Sequence, residues 1–97
     1  MLIKDVECQK IKSIIDHYFS DISMNIRSGS SKDLIIFWLR QRPTFNPYIN
    51  FRVGNIWATL TILGGYGGII RMVRIHKNNT IEDLARLVLK LFLEIYQ

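Results

Sequence analysis

The period of the hydrophobic pattern changes twice along the chain. Over residues 4–19, apolar side chains recur at steps of three, four and seven, which is the spacing of one face of a helix. Helical spacing returns over residues 81–96, directly after Thr80, a good N-cap residue. Between these segments the period is two, which is typical of strands. The pattern therefore predicts a helix, several strands and a second helix.

One hairpin of the central region is predicted in register. If Gly54 and Asn55 form a two-residue turn, positions whose numbers add up to 109 lie opposite each other, with Arg52 facing Trp57. One face is then apolar: Ile49, Phe51, Val53, Ile56, Ala58 and Leu60. The other face holds Tyr48, Asn50, Arg52, Trp57, Thr59 and Thr61. A wrong register would mix these two sets, so their separation favours the turn.

The next predicted strand covers residues 69–76 and follows a glycine-rich loop at 64–68. Arg71 and Arg74 have opposite parity in this strand, so strict alternation would turn one of them towards the core. A bulge at residues 72–73 would turn both arginines outward. It would keep three apolar side chains inside: Ile70, Met72 and Ile75.

The remaining segments give weaker patterns. Residues 33–42 are apolar at both parities, which suits a central strand or a short helix, and their β-branched and aromatic content favours the strand. Residues 24–27 suit a further short strand followed by a serine-rich turn. Residues 42–47 contain two prolines and are expected to form a loop.

These elements predict an α+β fold, a two-layer sandwich with an N-terminal helix, an antiparallel meander of three to five strands and a C-terminal helix. With 97 residues the chain is long enough for one domain, 1–97, and too short for two. Both helices are expected to pack on one face of the sheet, which carries Ile49, Phe51, Leu60 and Ile62.

The formal net charge of +5 is concentrated in the middle of the sequence. Residues 27–77 hold eight cations against the single acid Asp33, a net charge of +7, whereas the segments on either side carry −1 each. Six of the eight cations are arginine, whose planar guanidinium suits phosphate, carboxylate and flat rings. A basic centre of this kind is typical of a protein with an anionic partner.

The polar face of the predicted sheet combines arginines with flat rings, which neutralise phosphates and stack on bases. We therefore expect a nucleic-acid-binding face, for DNA or RNA, formed by Arg40, Arg42, Tyr48, Arg52, Trp57, Arg71, Arg74 and Lys77. Two alternatives remain. The face could bind an acidic protein partner, since Trp, Tyr and Arg are common interface anchors, or Arg52 could simply stack on Trp57 without any ligand.

The C-terminal helix has an apolar arc wider than one sheet face requires. Either the first helix covers the surplus or a second copy of the chain does. The small size of the chain favours a homodimer. The expected interface residues are Leu87, Leu89, Leu91 and Phe92.

Catalytic, metal and cofactor sites are not predicted. Cys8, His17 and His76 lack the spacing of a zinc site or of a thiol and its base. The glycine-rich loop precedes a strand and not a helix, so it does not resemble a phosphate-binding loop. We therefore expect a non-enzymatic protein without a metal or cofactor.

The setting is expected to be the cytoplasm. A single cysteine excludes an internal disulfide framework, and the first residues do not resemble a signal peptide. Residues 53–70 lack charge, but they contain five glycines and alternate with a period of two, so the hairpin explains them better than a membrane span does.

Overall fold

The computed structural model describes residues 1–18, 24–28, 34–39, 47–64 and 68–95. It confirms the predicted α+β fold, with two helices on one side of an antiparallel sheet. In chain order the elements are α1 (Cys8–Tyr18), β1 (Met24–Ser28), β2 (Leu34–Leu39), β3 (Tyr48–Val53), β4 (Trp57–Leu63), β5 (Ile69–His76) and α2 (Ile81–Ile95). The five strands lie side by side in sequence order, as expected for a meander.

The two weaker strand predictions are confirmed. Residues 34–39 form β2, so this segment is a strand and not a short helix, and β1 matches the predicted strand near residue 24. The loop predicted at residues 42–47 lies outside the described residues except for Pro47, as does most of the turn predicted after β1.

The β3–β4 hairpin keeps the predicted faces but not the predicted register. Phe51 lies opposite Leu60, and the Gly54 N–H donates to the Trp57 carbonyl at 2.9 Å. The turn is therefore centred one residue later than predicted, at residues 55–56. A Cβ on residue 54 would lie 2.9 Å from the Trp57 carbonyl, so glycine is needed for this close approach. The register shifts by two positions, an even number, which leaves the facing of each strand residue unchanged.

One side chain changes its environment because of this shift. Ile56 was expected on the apolar face, but it lies in the turn and is 59% exposed.

The helix-covered face of the sheet forms the core, as predicted. Alternate residues of β3 and β4 are buried there, namely Ile49, Phe51, Ala58, Leu60 and Ile62. Ile35 and Phe37 extend the core into β2, while Ile11 and Ile15 of α1 cover it. Because folding removes the apolar surface of these side chains from water, this face supplies most of the hydrophobic stabilisation of the fold.

Contacts close to residue 80 cap α2 and hold the segment that precedes α1. The Asp83 N–H donates to Thr80 Oγ1 at 3.0 Å and the Thr80 N–H donates to Asp83 Oδ2 at 3.2 Å, a reciprocal cap that confirms Thr80 as the N-cap of α2. α1 starts at Cys8, later than predicted, because residues 3–5 form a short 3-10 helix. The Ile3 N–H donates to the Asn79 carbonyl at 2.9 Å, which ties this segment to the turn before α2.

The bulge predicted in β5 is in the wrong place. Ile62 pairs with Arg71 and Leu63 with Ile69, so the extra residue of β5 is Ile70 and not residue 72 or 73, and β5 alternates regularly from residue 71 onward. Arg71 pairs with Ile62 and belongs to the helix-covered face, whereas Arg74 pairs with Thr59 on the other face. Contrary to prediction, Met72 is not in the core but 57% exposed, and Ile70 is exposed as well.

The four residues expected at a dimer interface have different environments. Leu91 and Phe92 are buried in the chain's own core, and Leu87 is half-buried against that core. Leu89 is 37% exposed. Much of the wide apolar arc of α2 is therefore buried within one chain. Leu91 and Phe92 are inaccessible to a second copy.

Candidate nucleic-acid interface

The sheet face opposite the helices, here called the open face, is built by simple alternation along the strands. Because Phe51, Ala58 and Ile75 point to the core, their neighbours along each strand point away from the helices. Residues of the open face on β2 to β5 are Ile36, Tyr48, Asn50, Arg52, Trp57, Thr59, Thr61, Met72, Arg74 and His76.

Two arginines of the open face lie in one row across three strands. Arg52 of β3 and Arg74 of β5 both pair with Thr59 of β4, one from each side. Two strand spacings separate their backbones, which is about 10 Å. Both side chains are exposed, so the row presents two guanidinium groups with a small hydroxyl residue between them.

Trp57 lies beside this row and contacts β5. The guanidinium carbon of Arg74 is 5.1 Å from the centre of the Trp57 ring, a cation–π distance. The His76 ring meets Trp57 edge-on, with 5.1 Å between ring centres. Trp57 is nevertheless 42% exposed. The three side chains form a compact aromatic and cationic cluster that keeps part of the indole open to solvent.

The predicted contact between Arg52 and Trp57 is wrong. Trp57 lies opposite His76 across β4 and β5, and its hairpin neighbour is Gly54. The displaced turn accounts for this change, because it moves Arg52 opposite Thr59. Arg74, and not Arg52, forms the cation–π contact with Trp57.

Further cations lie next to the turn of the hairpin. The Lys77 N–H donates to the Ile56 carbonyl at 3.1 Å, and the Lys4 N–H donates to the Lys77 carbonyl at 3.0 Å. Lys77 is one of the predicted binding residues, whereas Lys4 and His76 are not among them. Lys4 reaches this place through long-range pairing of the N-terminal segment, and no local pattern in the sequence indicates it.

Acidic side chains are absent from the part of the open face that the structure describes. The acidic residues with described positions all lie in the N-terminal segment or the helices: Asp5, Glu7, Asp16, Glu82, Asp83 and Glu94. Three of them form ion pairs with arginines on the helix side: Glu82 and Asp83 with Arg86, and Glu94 with Arg71. Among the described residues no acid pairs with Arg52 or Arg74, so the described part of the open face carries a positive charge.

Several predicted binding residues lie away from this cluster. Arg71 is on the helix side, 2.6 Å from Glu94, so the expectation that it shares a face with Arg74 is wrong. Tyr48 is half-buried and pairs with Leu63, six residues along β4 from Trp57, or about 20 Å. Arg40 and Arg42 lie outside the described residues.

Other kinds of site receive no support from the described part of the chain. Among those residues, no group of three His, Cys, Asp or Glu side chains comes close enough together to hold a metal ion. No helix found there has the length and apolar character needed to cross a bilayer.

Comparison of the chain with models of protein families, with curated proteins and with solved structures finds no match. Function has to be inferred from the open face itself.

Proposed function

We propose that this protein binds single-stranded nucleic acid, DNA or RNA, on the open face of its sheet and has no catalytic role. One observation carries the proposal: Arg52, Arg74 and Trp57 are exposed together on a surface whose described residues include no acid. A cytoplasmic setting belongs to the same proposal, since a single cysteine gives no internal disulfide framework.

The arrangement suits the two parts of a nucleotide. Guanidinium groups bind phosphate through paired hydrogen bonds, and Arg52 and Arg74 carry two such groups on backbone positions about 10 Å apart. An exposed indole stacks on any base, with a contribution of roughly 1 to 3 kcal/mol per base. The contact with Arg74 holds the indole beside a phosphate-binding group before the ligand arrives.

A single strand fits this surface better than a duplex. The described site lies on a sheet, and neither helix lies on that side to enter a major groove. Bases of a single strand are free to turn towards an aromatic ring, whereas those of a duplex are already stacked on each other.

The test is fluorescence anisotropy of a labelled single-stranded oligonucleotide at increasing salt. The double variant Arg52→Gln with Arg74→Gln should bind more weakly. Its slope of log affinity against log salt should be shallower by about 1.4, since each single-strand phosphate contact contributes about 0.7. The matched control, Arg71→Gln with Arg86→Gln, removes the same charge from ion pairs on the helix side and should bind almost as the natural chain does.

Binding that ignores salt, or that falls equally in both double variants, would rule out the open face as the site. A duplex of the same length should bind more weakly than the single strand, and the reverse result would contradict the preference for single strands.

An acidic protein is the second candidate partner. The observation that favours it is the exposure of Ile56 and Met72 next to the arginines, because protein interfaces bury apolar side chains more than nucleic-acid interfaces do. Association with such a partner would survive nuclease treatment and would still depend on Arg52 and Arg74. Loss of all association after nuclease treatment would exclude this candidate.

A further inference from the structure

The outer edge of β5 has backbone groups that no other strand of the described residues pairs with. β5 is the last strand of the sheet, and no described strand lies beyond it. The Lys77 N–H donates to the Ile56 carbonyl of the turn before β4, and the hydrogen-bonding residues of an antiparallel pair alternate along each strand. Residues 71, 73 and 75 therefore direct their backbone groups towards β4, while Met72 and Arg74 direct theirs outward.

The geometry limits where a further strand could pair. The irregularity next to Ile70 ends the regular ladder on one side. On the other side, the His76 carbonyl already accepts the Asn79 N–H at 2.9 Å. Met72 and Arg74 remain as the residues of the regular strand whose outward backbone groups pair with no strand in the described part of the chain. Such an edge is a template for another strand unless it is covered or blocked by charge, proline or a bulge.

The side of α2 next to this edge is self-complementary in charge. The ion pair between Arg71 and Glu94 shows which side of the helix lies over β5. Residues four, seven and eleven positions apart share one side of a helix, which places Asp83, Leu87 and Lys90 in line with Glu94. Two copies of α2 can lie antiparallel along this side, related by a twofold axis at Leu87. Asp83 of one copy then lies close to Lys90 of the other, and Leu87 contacts Leu87 of the other copy.

We propose that a second copy of this chain pairs its β5 with this β5 in antiparallel orientation, with the two α2 helices side by side. The best centre is Val73, because Met72 then lies opposite Arg74 of the partner subunit and each copy contributes both outward residues to the ladder. A centre on Arg71 or Arg74 would place identical cations opposite each other, which is unfavourable.

This dimer differs from the one expected from the sequence and does not depend on nucleic-acid binding. A twofold axis through the β5 pair, perpendicular to the sheet, leaves both open faces on the same side. The sheet of five strands doubles in width. The two Trp57 clusters then belong to one continuous surface.

The test is the molar mass of the full chain by light scattering after size exclusion. The natural chain should be a dimer. Met72→Pro removes an outward N–H that the sheet itself does not use, so the fold should persist. The dimer should weaken about tenfold to a hundredfold, since two backbone hydrogen bonds are lost per dimer. Circular dichroism checks the fold.

A second variant covers the case in which the proline prevents folding. Lys90→Glu brings like charges together beside Leu87 and should weaken the dimer, whereas the control Leu89→Glu changes the other side of α2 and should not. A monomeric natural chain would overturn the proposal. A dimer lost in Leu89→Glu but retained in Lys90→Glu would also overturn it and would place the interface on the other side of α2.

Discussion

The two faces of the sheet are made by the same strands and differ in almost every property. On the helix-covered side, alternate residues such as Phe51 and Leu60 are fully buried. On the open side, their immediate neighbours Arg52 and Thr59 lie in a row of polar groups. Alternation therefore places the residues that stabilise the fold and those of the proposed binding surface on opposite faces of the same strands. A substitution on one face should leave the property of the other face largely intact.

Arg71 and Arg74 show this separation within one strand. They are three residues apart on β5, and the first forms an ion pair with Glu94 on the helix side. The second lies on Trp57 of the open face. Two arginines that are close together in the sequence thus have different roles. Arg71 contributes to local stability, and Arg74 belongs to the proposed binding surface.

The largest effect is expected from a cavity beneath the helices. Phe51→Ala should lower the free energy of unfolding by about 3 to 5 kcal/mol, because the ring is fully buried and packs against Phe37. Urea titration measures the change. Thr59→Ala on the adjoining strand of the open face is the control and should stay within about 0.5 kcal/mol. Similar losses in both variants would mean that the two faces are not distinct.

A smaller effect is expected at the start of the covering helix. Thr80→Ala removes the hydroxyl that accepts the Asp83 N–H, so the free energy of unfolding should fall by about 1 kcal/mol. Thr80→Asn retains a capping acceptor and should recover most of this loss in the same urea titration. Equal loss in the two variants would show that the cap does not stabilise α2.

The smallest effects on stability are expected from the two arginines of β5. Arg74→Gln loses an exposed cation–π contact of about 0.5 to 1 kcal/mol. Arg71→Gln loses an exposed ion pair of about 0 to 1 kcal/mol. Thermal unfolding of both variants should remain close to that of the natural chain. A loss above about 2 kcal/mol for Arg74→Gln would contradict its assignment to the open face.

Fold class and the facing of β3 and β4 could be predicted from the sequence because they depend on local periodicity, whereas the facing predicted for Ile70, Arg71 and Met72 of β5 is wrong. Ile49, Phe51 and Leu60 keep their faces even though the turn was placed one residue too early, since an even register shift preserves alternation. The position of the turn itself depends on the close approach of Gly54 to Trp57, a contact between residues that no period reveals.

The candidate site was predicted less well because it depends on register and on distant contacts. Arg74 and Trp57 meet only in the observed register of β4 and β5. Arg71 lies on the helix side because β5 alternates strictly from residue 71 to the buried Ile75, whereas the sequence prediction placed a bulge between them. Lys4 reaches the hairpin turn through pairing with Lys77, near the other end of the chain.

The most direct test of the open face as the binding surface is the emission of Trp57 during titration with a single-stranded oligonucleotide. Trp38→Phe leaves Trp57 as the single tryptophan, since the chain has two. Stacking on a base should quench this emission in step with the anisotropy of the oligonucleotide, and added salt should restore it. Full binding by anisotropy with unchanged Trp57 emission would contradict the account.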